Sequence, residues 1–307
     1  MNQVIVPYQT SSSGGGATDK MTIKKVGIVS KPKKLEIGEI VPPLLEWLRQ
    51  RDIEVCIDKE TGAIIKNAEP CLTLNELAGS VDLLIVLGGD GTLLATARAL
   101  HGKPVPILAV NLGGLGFLTV TTQEELYPTL ESVFRGKHNI ERRVQLEGSL
   151  IRADEVIASF LALNDAVLNK GAISRILDFE LRVNGQFVSS YKSDGLIICT
   201  PTGSTAYSLA AGGPITMPSV GAFIVTPICA HTLTHRPLVV PDTASIEIVV
   251  TTQREAAYLT VDGQVGLAAH SDDRVRLKKA DSYVELIQSP DKDYFRVLQQ
   301  KLRWGER

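Results

Sequence analysis

The stretch Val81–Leu94, VDLLIVLGGDGTLL, decides the fold of this chain. Val81 and Leu83–Leu87 supply six apolar residues, a run typical of a strand that is buried on both faces and need not alternate apolar with polar residues. The run ends at Gly88-Gly89-Asp90-Gly91-Thr92, and Leu93–Leu100 is predicted to be a helix. Glycines let backbone N–H groups approach an anion, and a helix start adds unpaired donors and partial positive charge. The stretch therefore predicts a phosphate loop made by Gly88, Gly89, Gly91 and Thr92.

Asp90 is the unexpected member of this loop, because a bound phosphate would repel its carboxylate. An acid is therefore expected here only if it has a function of its own. It could accept a proton from an attacking hydroxyl, or it could hold a metal. It could also do no more than cap the helix, as in many glycine-rich strand–helix turns. The loop alone leaves these alternatives open.

The composition indicates a soluble globular protein. With 307 residues, 44% hydrophobic and 21% charged, the chain is long enough for two domains with separate cores. The net charge of −2 gives no general attraction to nucleic acid or to an anionic membrane. We therefore expect neither as a partner, and we expect any phosphate binding to be local.

The cysteines and the apolar runs predict the compartment. Cys56, Cys71, Cys199 and Cys229 lie far apart without a CxxC pair, which argues against a zinc site or a disulfide framework and fits a reducing cytoplasm. No apolar run approaches the roughly 18–20 residues that span a bilayer. The N-terminus lacks the basic start and apolar segment of a signal peptide. We expect a cytoplasmic protein with no membrane partner.

Strands alternate with helices in the first part of the chain. Residues 1–20 are predicted to be a flexible tail, and residues 21–143 an α/β domain. Its predicted strands are Lys25–Ser30, Ile53–Ile57, Val81–Leu87 and Pro104–Asn111. Besides Leu93–Leu100, helices are predicted from about Pro42-Pro43 to Arg51, and from the capping-box sequence TTQE at 121–124 to about Arg135. This alternation predicts a parallel, Rossmann-like sheet, with both glycine loops (88–92 and 112–117) beyond the carboxyl ends of its strands, where such sheets bind ligands.

From residue 144 onward period-two strands replace helices, which predicts a mainly β domain over residues 144–290. The clearest strand, Leu177–Val183, alternates apolar and polar residues and runs into the hairpin signal Asn184-Gly185. Further strands are predicted at Phe187–Tyr191, Leu196–Cys199, Ser245–Thr252, Ala257–Val261, Arg274–Leu277 and Tyr283–Ile287. Residues 291–307 are predicted to form a C-terminal segment with a helix at Asp293–Leu302, which could return to the first domain.

Two polar stretches of the second domain are candidate binding loops. Thr200–Tyr207, TPTGSTAY, follows a buried strand, and its hydroxyls suit a purine edge and ribose hydroxyls, although a polar turn that caps a helix at Ala206–Ala211 is an alternative. Asn164 and Asp165 stand between apolar stretches, where a carboxylate needs a partner. A ligand hydroxyl or a local turn could supply it.

Other familiar site patterns are weak or missing in the sequence. His231 and His235 have the spacing of a metal pair, but HTLTH lacks the glutamate of HExxH, so no metal site is predicted there. The chain contains neither a GKS/GKT of a Walker A loop nor a correctly spaced GxGxxG.

Taken together, the motifs resemble those of bacterial NAD kinases. They appear in that family's order over about residues 25–290: GGDGT at 88–92, NLGGLGFLT at 111–119, ALND at 162–165, KSDGLIICTPTGSTAYSLAAGGPI at 192–215, the histidine- and proline-containing segment 227–241, and DGQ at 262–264. GGDGT alone is shared with diacylglycerol and sphingoid lipid kinases, and phosphofructokinases nearly match it. The long TPTGSTAY block is far more specific.

The resemblance implies transfer of the terminal phosphoryl group of ATP to the 2′-hydroxyl of the adenosine ribose of NAD, giving NADP. By this resemblance Asp90 is the proton acceptor, with Gly91 beside it. The implied NAD-binding residues are Asp90, Gly91, Asn164, Asp165, Arg175, Lys192, Asp194, Thr205, Ala206, Tyr207, Ser208, Ala210 and Gln264. Lys192 stands where arginine is common in the family, and a lysine lacks the flat bidentate fork of arginine. Ala210 stands where many relatives have serine, so one hydroxyl contact is missing.

The resemblance also implies Mg²⁺ accompanying ATP, no resident metal, and a homodimer or homotetramer. Polyphosphate as donor and NADH as acceptor stay open. A lipid kinase is the nearest alternative, but it would need an apolar slot where this chain has a hydroxyl-rich turn. A catalytically silent dinucleotide sensor is a further alternative, although Asp90 and the other expected reactive positions are filled.

Overall fold

A parallel sheet with helices on both faces forms the first half of the chain. The computed structural model describes residues 23–31, 36–66, 71–171, 176–232, 234–252, 257–288 and 293–305, so the tail expected at 1–20 lies outside the described residues. The elements are β1 (Lys25–Ser30), α1 (Ile37–Arg49), β2 (Glu54–Asp58), α2 (Lys59–Ile65), β3 (Cys71–Leu72), α3 (Leu74–Leu77), β4 (Leu83–Gly88), α4 (Asp90–Ala99), β5 (Ile107–Asn111), β6 (Thr121–Thr122) and α5 (Leu126–Phe134). Parallel strands run in the order β3-β2-β1-β4-β5.

The apolar run of β4 is continuous because both of its faces are covered. Leu83, Ile85 and Leu87 pack into a cluster with the apolar faces of α1 and α5. Leu84 and Val86 point the other way, into a cluster with Leu77 of α3 and the apolar residues of α4. The strand predicted from this run is confirmed, and its carboxyl end delivers the glycine loop to the start of α4.

The second half of the chain is a sandwich of antiparallel strands. Its elements are β7 (Asn139–Arg152), β8 (Glu155–Ala162), β9 (Asp165–Lys170), β10 (Leu177–Val183), β11 (Gln186–Ser193), β12 (Gly195–Cys199), a 3-10 helix (Thr202–Thr205), α6 (Tyr207–Ala210), β13 (Ala222–Ile228), β14 (Leu238–Pro241), β15 (Ile246–Val250), β16 (Ala257–Val261), β17 (Val265–Ala269), β18 (Arg274–Gln288) and α7 (Tyr294–Leu302). Among the described residues, β14-β13-β12-β9-β16-β17 form one sheet. Its inner face packs on β7, β10, β15 and β18 around a core that contains Phe179 and Phe223. The expected fold class, an α/β domain followed by a mainly β domain, is confirmed.

The long strand β18 joins the two halves. Its first part pairs with β15 and β7, and its last part pairs in parallel with β5 of the first half, at Leu286 and Ile107. The predicted pair of strands, Arg274–Leu277 and Tyr283–Ile287, is wrong, because one strand covers both. The intervening polar residues belong to an irregularity between Lys279 and Tyr283 rather than to a loop. The expected division at residues 143 and 144 falls inside β7.

Several predicted helix starts are wrong. Helix α1 begins at Ile37 rather than at Pro42-Pro43, so both prolines lie inside it and leave carbonyls without helical donors. Those carbonyls belong to the solvent-exposed Gly38 and Glu39, where water can satisfy them. Helix α4 begins at Asp90 rather than at Leu93. Helix α5 begins at Leu126, after a short strand at Thr121–Thr122 that replaces the predicted capping box.

The final helix, α7, packs against the first half of the chain. Asp293 caps its start by accepting the N–H of Phe295 at 3.1 Å. Val297 and Leu298 are buried, and Lys301 Nζ lies 5.5 Å from the ring centroid of Phe117. Within the described residues, no helix is both long and apolar enough to cross a bilayer.

Candidate active site

The glycine loop is shaped by close contacts rather than by left-handed backbone. Gly89 caps α4 in an extended conformation (φ −111°), and Asp90 is the first helical residue. A Cβ on Gly88 would lie 2.9 Å from Thr92 Cβ, so any side chain there would displace Thr92. A Cβ on Gly89 would meet nothing within 4 Å, because this glycine borders open space. The loop thus leaves the start of α4 accessible to a ligand.

The Asp90 carboxylate is held by the second glycine loop. Oδ1 accepts hydrogen bonds from the Leu118 N–H (3.2 Å) and from both the N–H and the hydroxyl of Thr119 (3.0 Å each). Oδ2 accepts one, from the Phe117 N–H at 3.0 Å. A side chain at Gly116 would overlap Oδ1. Asp90 is therefore oriented by four donors, three of them on one oxygen.

Asn111 organises the loop that holds Asp90. Its side-chain amide donates to the Gly114 carbonyl (2.6 Å) and to Thr119 Oγ1 (3.1 Å), and its Oδ1 accepts the Gly113 N–H (2.7 Å). Asn111 is the last residue of β5, which runs beside β4, so neighbouring strands deliver the two glycine loops to one edge of the sheet.

A cleft of about 630 Å³ opens at this edge. Its lining residues come from the carboxyl ends of β1, β2 and β3, from the starts of α2, α3 and α4, and from the turn between β16 and β17: Val29, Ser30, Lys31, Asp58, Lys59, Glu60, Leu72, Thr73, Leu74, Gly89, Gly91, Thr92, Ala95 and Gln264. Lys31 and Lys59 are exposed and bring positive charge to it. Asp58 is buried and caps α2, and burial raises the pKa of its carboxyl.

A second cleft, of about 300 Å³, lies between the sandwich and the hydroxyl-rich turn. It is lined by Asn164, Asp165, Val167, Asn169, Ala206, Tyr207, Thr260, Asp262 and Gly263. The turn packs directly on the Asn164 loop: the Asn164 carbonyl accepts the Thr200 N–H at 2.9 Å, and Thr200 Oγ1 donates to the Leu163 carbonyl at 2.6 Å. A side chain at Gly203 would overlap the Asn164 backbone. The structure therefore brings together the two polar stretches that the sequence singled out.

Two buried carboxyl groups line this second cleft. Asp262 accepts the N–H groups of Leu163 (3.2 Å), Asn164 (2.8 Å) and Asp165 (3.2 Å), and so fixes the loop that carries Asn164. Burial raises the pKa of Asp262, against these donors and the nearby Arg98. Burial and the neighbouring Asp262 raise the pKa of Asp165 to about 7. Asp165 therefore sits near its titration point at neutral pH, with its side chain beside the cleft.

Gln264 connects the two clefts. Its side-chain N–H₂ donates to the Gly91 carbonyl at 2.9 Å, and its Oε1 accepts from Arg98 of α4. Asp262 and Gly263, which precede it in the β16–β17 turn, line the second cleft, whereas Gln264 lines the first. The glycine loop and the hydroxyl-rich turn are thus parts of one composite site.

Comparison with known proteins identifies the family of proteins to which this chain belongs. Residues 26–138 match the family model of the ATP-NAD kinase N-terminal domain, and residues 163–289 match that of the ATP-NAD kinase C-terminal domain. The chain belongs to the NAD kinase family. It is a phosphotransferase with an alcohol group as acceptor, as its resemblance to bacterial NAD kinases predicted.

Relatives in the NAD kinase family align over nearly the whole chain. The NAD kinase of Koribacter versatilis is 50% identical over 285 residues, which are 93% of this chain and 100% of that protein. The NAD kinase of Solibacter usitatus is 51% identical, over 93% of this chain and 99% of that protein. Among solved structures, the yeast NADH kinase complexed with NADH has a TM-score of 0.86 and 27% identity, and covers 93% of this chain and 89% of its own. An NAD kinase from Archaeoglobus fulgidus in complex with ATP has a TM-score of 0.73 and 26% identity, over 91% of this chain and 98% of its own.

The residues expected to bind NAD divide into two groups. Asn164, Asp165, Ala206 and Tyr207 line the second cleft, and Gly91 and Gln264 line the first. Thr205 lies directly before Ala206, in the 3-10 helix. The others line neither cleft within one chain. They are Asp90, held by the N–H groups of residues 117–119; Lys192, paired with Asp178 (3.6 Å); Asp194, paired with Lys170 (2.9 Å); the buried Ser208, whose hydroxyl bonds Thr226 (2.9 Å); and the exposed Ala210. Arg175 lies outside the described residues, and all these NAD contacts stay predictions.

Sequence reasoning missed the roles of Asp262, Arg98 and Asn111. In the sequence Asp262 stood out only as part of the DGQ motif at 262–264, and its positive φ (49°) belongs to the turn that it forms with Gly263. Its carboxylate contacts a loop almost a hundred residues earlier, which no local pattern reveals. A carboxylate that follows the buried strand β16 was the one available signal, because a buried acid requires donors.

The histidine pair has contacts of its own. The His235 ring lies 4.3 Å from that of Tyr191, and its Nε2 lies 3.2 Å from Ser189 Oγ. In the part of the chain that the structure describes, no three His, Cys, Asp or Glu side chains are grouped so that they could hold a metal.

Proposed function

We propose that this chain transfers the terminal phosphoryl group of ATP to the 2′-hydroxyl of the adenosine ribose of NAD, giving NADP. The observation that carries the proposal is the Gln264–Gly91 hydrogen bond, which joins the β16–β17 turn of the second half to the glycine loop of the first. ATP bound in the larger cleft and NAD bound in the smaller one would then bring the terminal phosphoryl group and the acceptor hydroxyl together near Asp90. The fold is shared with a kinase solved with NADH and with another solved with ATP, which supports both substrate classes.

The larger cleft is the proposed site of ATP. Gly89 and Gly91 expose the start of α4, whose unpaired N–H groups and partial positive charge stabilise phosphate oxygens. Lys31 and Lys59 also line this cleft and add positive charge to it. We propose that Mg²⁺ arrives with ATP, since Asp58 is already engaged as a helix cap and Asp90 is held by four donors. These acidic side chains do not form a set fitted to a resident metal ion.

The smaller cleft is the proposed site of the adenosine end of NAD. Asn164, Asp165 and the backbone of residues 206 and 207 offer donors and acceptors for an adenine edge and ribose hydroxyls. The polar lining also opposes the lipid-kinase alternative, because an acyl chain would place an apolar group against the buried carboxyl of Asp165.

We propose that Asp90 Oδ2 accepts the proton of the attacking hydroxyl. Oδ1 already accepts three hydrogen bonds, whereas Oδ2 accepts one and keeps a lone pair for the substrate. As the ribose oxygen bonds to the terminal phosphorus, the bond from that phosphorus to the bridging oxygen breaks. ADP leaves with the electron pair of the broken phosphorus–oxygen bond, and the hydroxyl proton passes to Asp90 Oδ2. Positioning and charge neutralisation do most of the work in such reactions.

One assay tests this function. Purified full-length chain is incubated with Mg²⁺ and ATP or polyphosphate, plus NAD, NADH or diacylglycerol, and NADP(H) is measured with an NADP-specific dehydrogenase. We expect NADP from ATP and NAD and no phosphorylated lipid. Phosphorylated diacylglycerol without NADP would support a lipid kinase. NAD binding without turnover would support a sensor.

We also propose a homodimer or homotetramer. Phe187 and Val188, on the edge strand β11, are 57% and 40% exposed, and exposed apolar side chains on a sheet edge favour pairing with a second copy. Light scattering after size exclusion should give two or four times the chain mass of 33.2 kDa. A strictly monomeric mass would contradict the proposal.

A further inference from the structure

Arg98 lies at the far end of the helix that begins with Asp90. Its Nη2 donates to Gln264 Oε1, and its Nη1 lies 3.7 Å from Asp262 Oδ2. Its side chain is only 23% exposed and that of Asp262 is 1% exposed, so water screens this ion pair weakly. A single side chain of α4 thus contacts two residues of the β16–β17 turn in the other half of the chain.

Through Asp262 the contact reaches the loop that carries the expected NAD ligands. Asp262 accepts the backbone N–H groups of residues 163–165, and Asn164 and Asp165 line the smaller cleft. Taking the Arg98 cation away would leave Asp262 beside Asp165, a second buried carboxyl, without a compensating charge.

Through Gln264 the contact reaches the glycine loop. A glutamine amide has an acceptor at one end and donors at the other, so a partner at either end fixes its orientation. Arg98 has only donors and therefore holds Oε1, which aims the Nε2 group at the Gly91 carbonyl. Without Arg98 the amide is free to turn, and its bond to the residue next to Asp90 weakens.

We propose that Arg98 is a positioning residue for phosphoryl transfer. Through Asp262 and Gln264 it holds the helix that presents Asp90 in register with the loop that presents Asn164 and Asp165. The proposal rests on the function proposed above. It requires no contact between Arg98 and substrate, because a misplacement of the reacting groups by about 1 Å is enough to cost on the order of 10²-fold in rate.

The test compares three variants of the full-length chain with ATP and NAD. Arg98→Met keeps the apolar stem but removes the donors and the charge, and Arg98→Lys keeps the charge without the planar fork. Arg135→Met is the control, since Arg135 also stands at a helix end but forms an exposed ion pair with Glu131, one turn earlier in the same helix. We expect Arg98→Met to lower kcat/KM for NAD by about 10- to 100-fold while KM for ATP changes little. Arg98→Lys should recover part of this loss, and Arg135→Met should match the unsubstituted chain.

The pH profile separates positioning from general destabilisation. Asp262 faces Arg98 from α4 and Asp165 from β9, so Arg98→Met should move the acidic limb of kcat/KM for NAD to higher pH, whereas Arg98→Lys should leave it in place. If Arg98→Met does not fold, as judged by circular dichroism, the kcat/KM of Arg98→Lys for NAD tests the positioning role instead.

The outcomes are distinct. The positioning role is overturned if a folded Arg98→Met has an unchanged kcat/KM for NAD. Where Arg98→Met does not fold, an unchanged kcat/KM in Arg98→Lys overturns it. A loss accompanied by an unmoved acidic limb in Arg98→Met also overturns it, since the coupling through Asp262 would then be missing. An unsubstituted chain that makes no NADP overturns the proposed function instead.

Discussion

At the scale of single residues, Asp90 has two separable tasks. It orients the second glycine loop through four hydrogen bonds, and its less occupied oxygen is the proposed proton acceptor. The sequence predicted an acid with a task of its own at this position. It could not show that this task includes binding Phe117–Thr119, because that contact joins loops after different strands.

Asp90→Asn separates the two tasks. Asparagine keeps one acceptor oxygen, so it can still bind the Leu118 and Thr119 donors, but it cannot take a proton. We expect folding and NAD affinity to persist while kcat falls by about 10²–10⁴-fold. Steady-state kinetics, calorimetric NAD binding and thermal unfolding measure the three quantities. Asp154→Asn, at an exposed turn, is the control. Near-native NADP synthesis by Asp90→Asn would remove Asp90 from proton transfer.

Ala206 tests the assignment of the smaller cleft. It lines a space of about 300 Å³, so a leucine there would fill part of the volume that the adenosine end needs. We expect Ala206→Leu to weaken NAD binding at least tenfold, with little change in KM for ATP. Calorimetric titration with NAD measures this, and Ala268→Leu, at an exposed position of β17, is the control. Equal NAD affinity in both variants would move the adenosine site elsewhere.

At the scale of elements, the sequence predicted what depends on local pattern. The buried run of β4, the alternation in β10 and the Asn184-Gly185 turn after it are all confirmed. The start of α1 was wrong because proline inside a helix is tolerated when the freed carbonyls face water. The strand β18 was split because the polar residues around Lys279 resemble a loop, although pairing with β7 continues on both sides of them. Such long-range pairing has no local signature.

The packing of the hydroxyl-rich turn on the Asn164 loop can be tested with one methyl group. A Cβ at Gly203 would overlap backbone atoms of Asn164, which cannot rotate away as a side chain could. We expect Gly203→Ala to lower the free energy of unfolding by about 1–3 kcal/mol and to weaken NAD binding. Urea denaturation measures the first effect. Gly266→Ala, where a Cβ meets nothing within 4 Å, is the matched control, and equal stability of both variants would contradict the observed packing.

At the scale of the whole molecule, β18 makes the halves parts of one sheet, and the β16–β17 turn brings the sandwich against α4. Burying Asp165 and Asp262 at this junction is costly for folding, because each carboxyl leaves water. These buried acids lower the stability of the fold, but they give the junction polar groups that can bind a polar ligand. A purely apolar junction would have no such groups.

This cost predicts how the stability of the whole chain depends on pH. The folded-state pKa of Asp165, about 7, is far above the value of about 4 in an unfolded chain. Between these two values the folded state binds more protons than the unfolded state, so this group makes the free energy of unfolding fall as pH rises from about 4 to 7. Asp165→Asn carries no titrating group, so we expect it to unfold at a higher temperature than the unsubstituted chain at pH 8 and to lose that advantage at pH 4. It should also lose NAD affinity, because the carboxylate acceptor is gone. Calorimetric unfolding at both pH values measures the difference, and an equal stability gain at pH 4 and pH 8 would show that Asp165 does not titrate in this range.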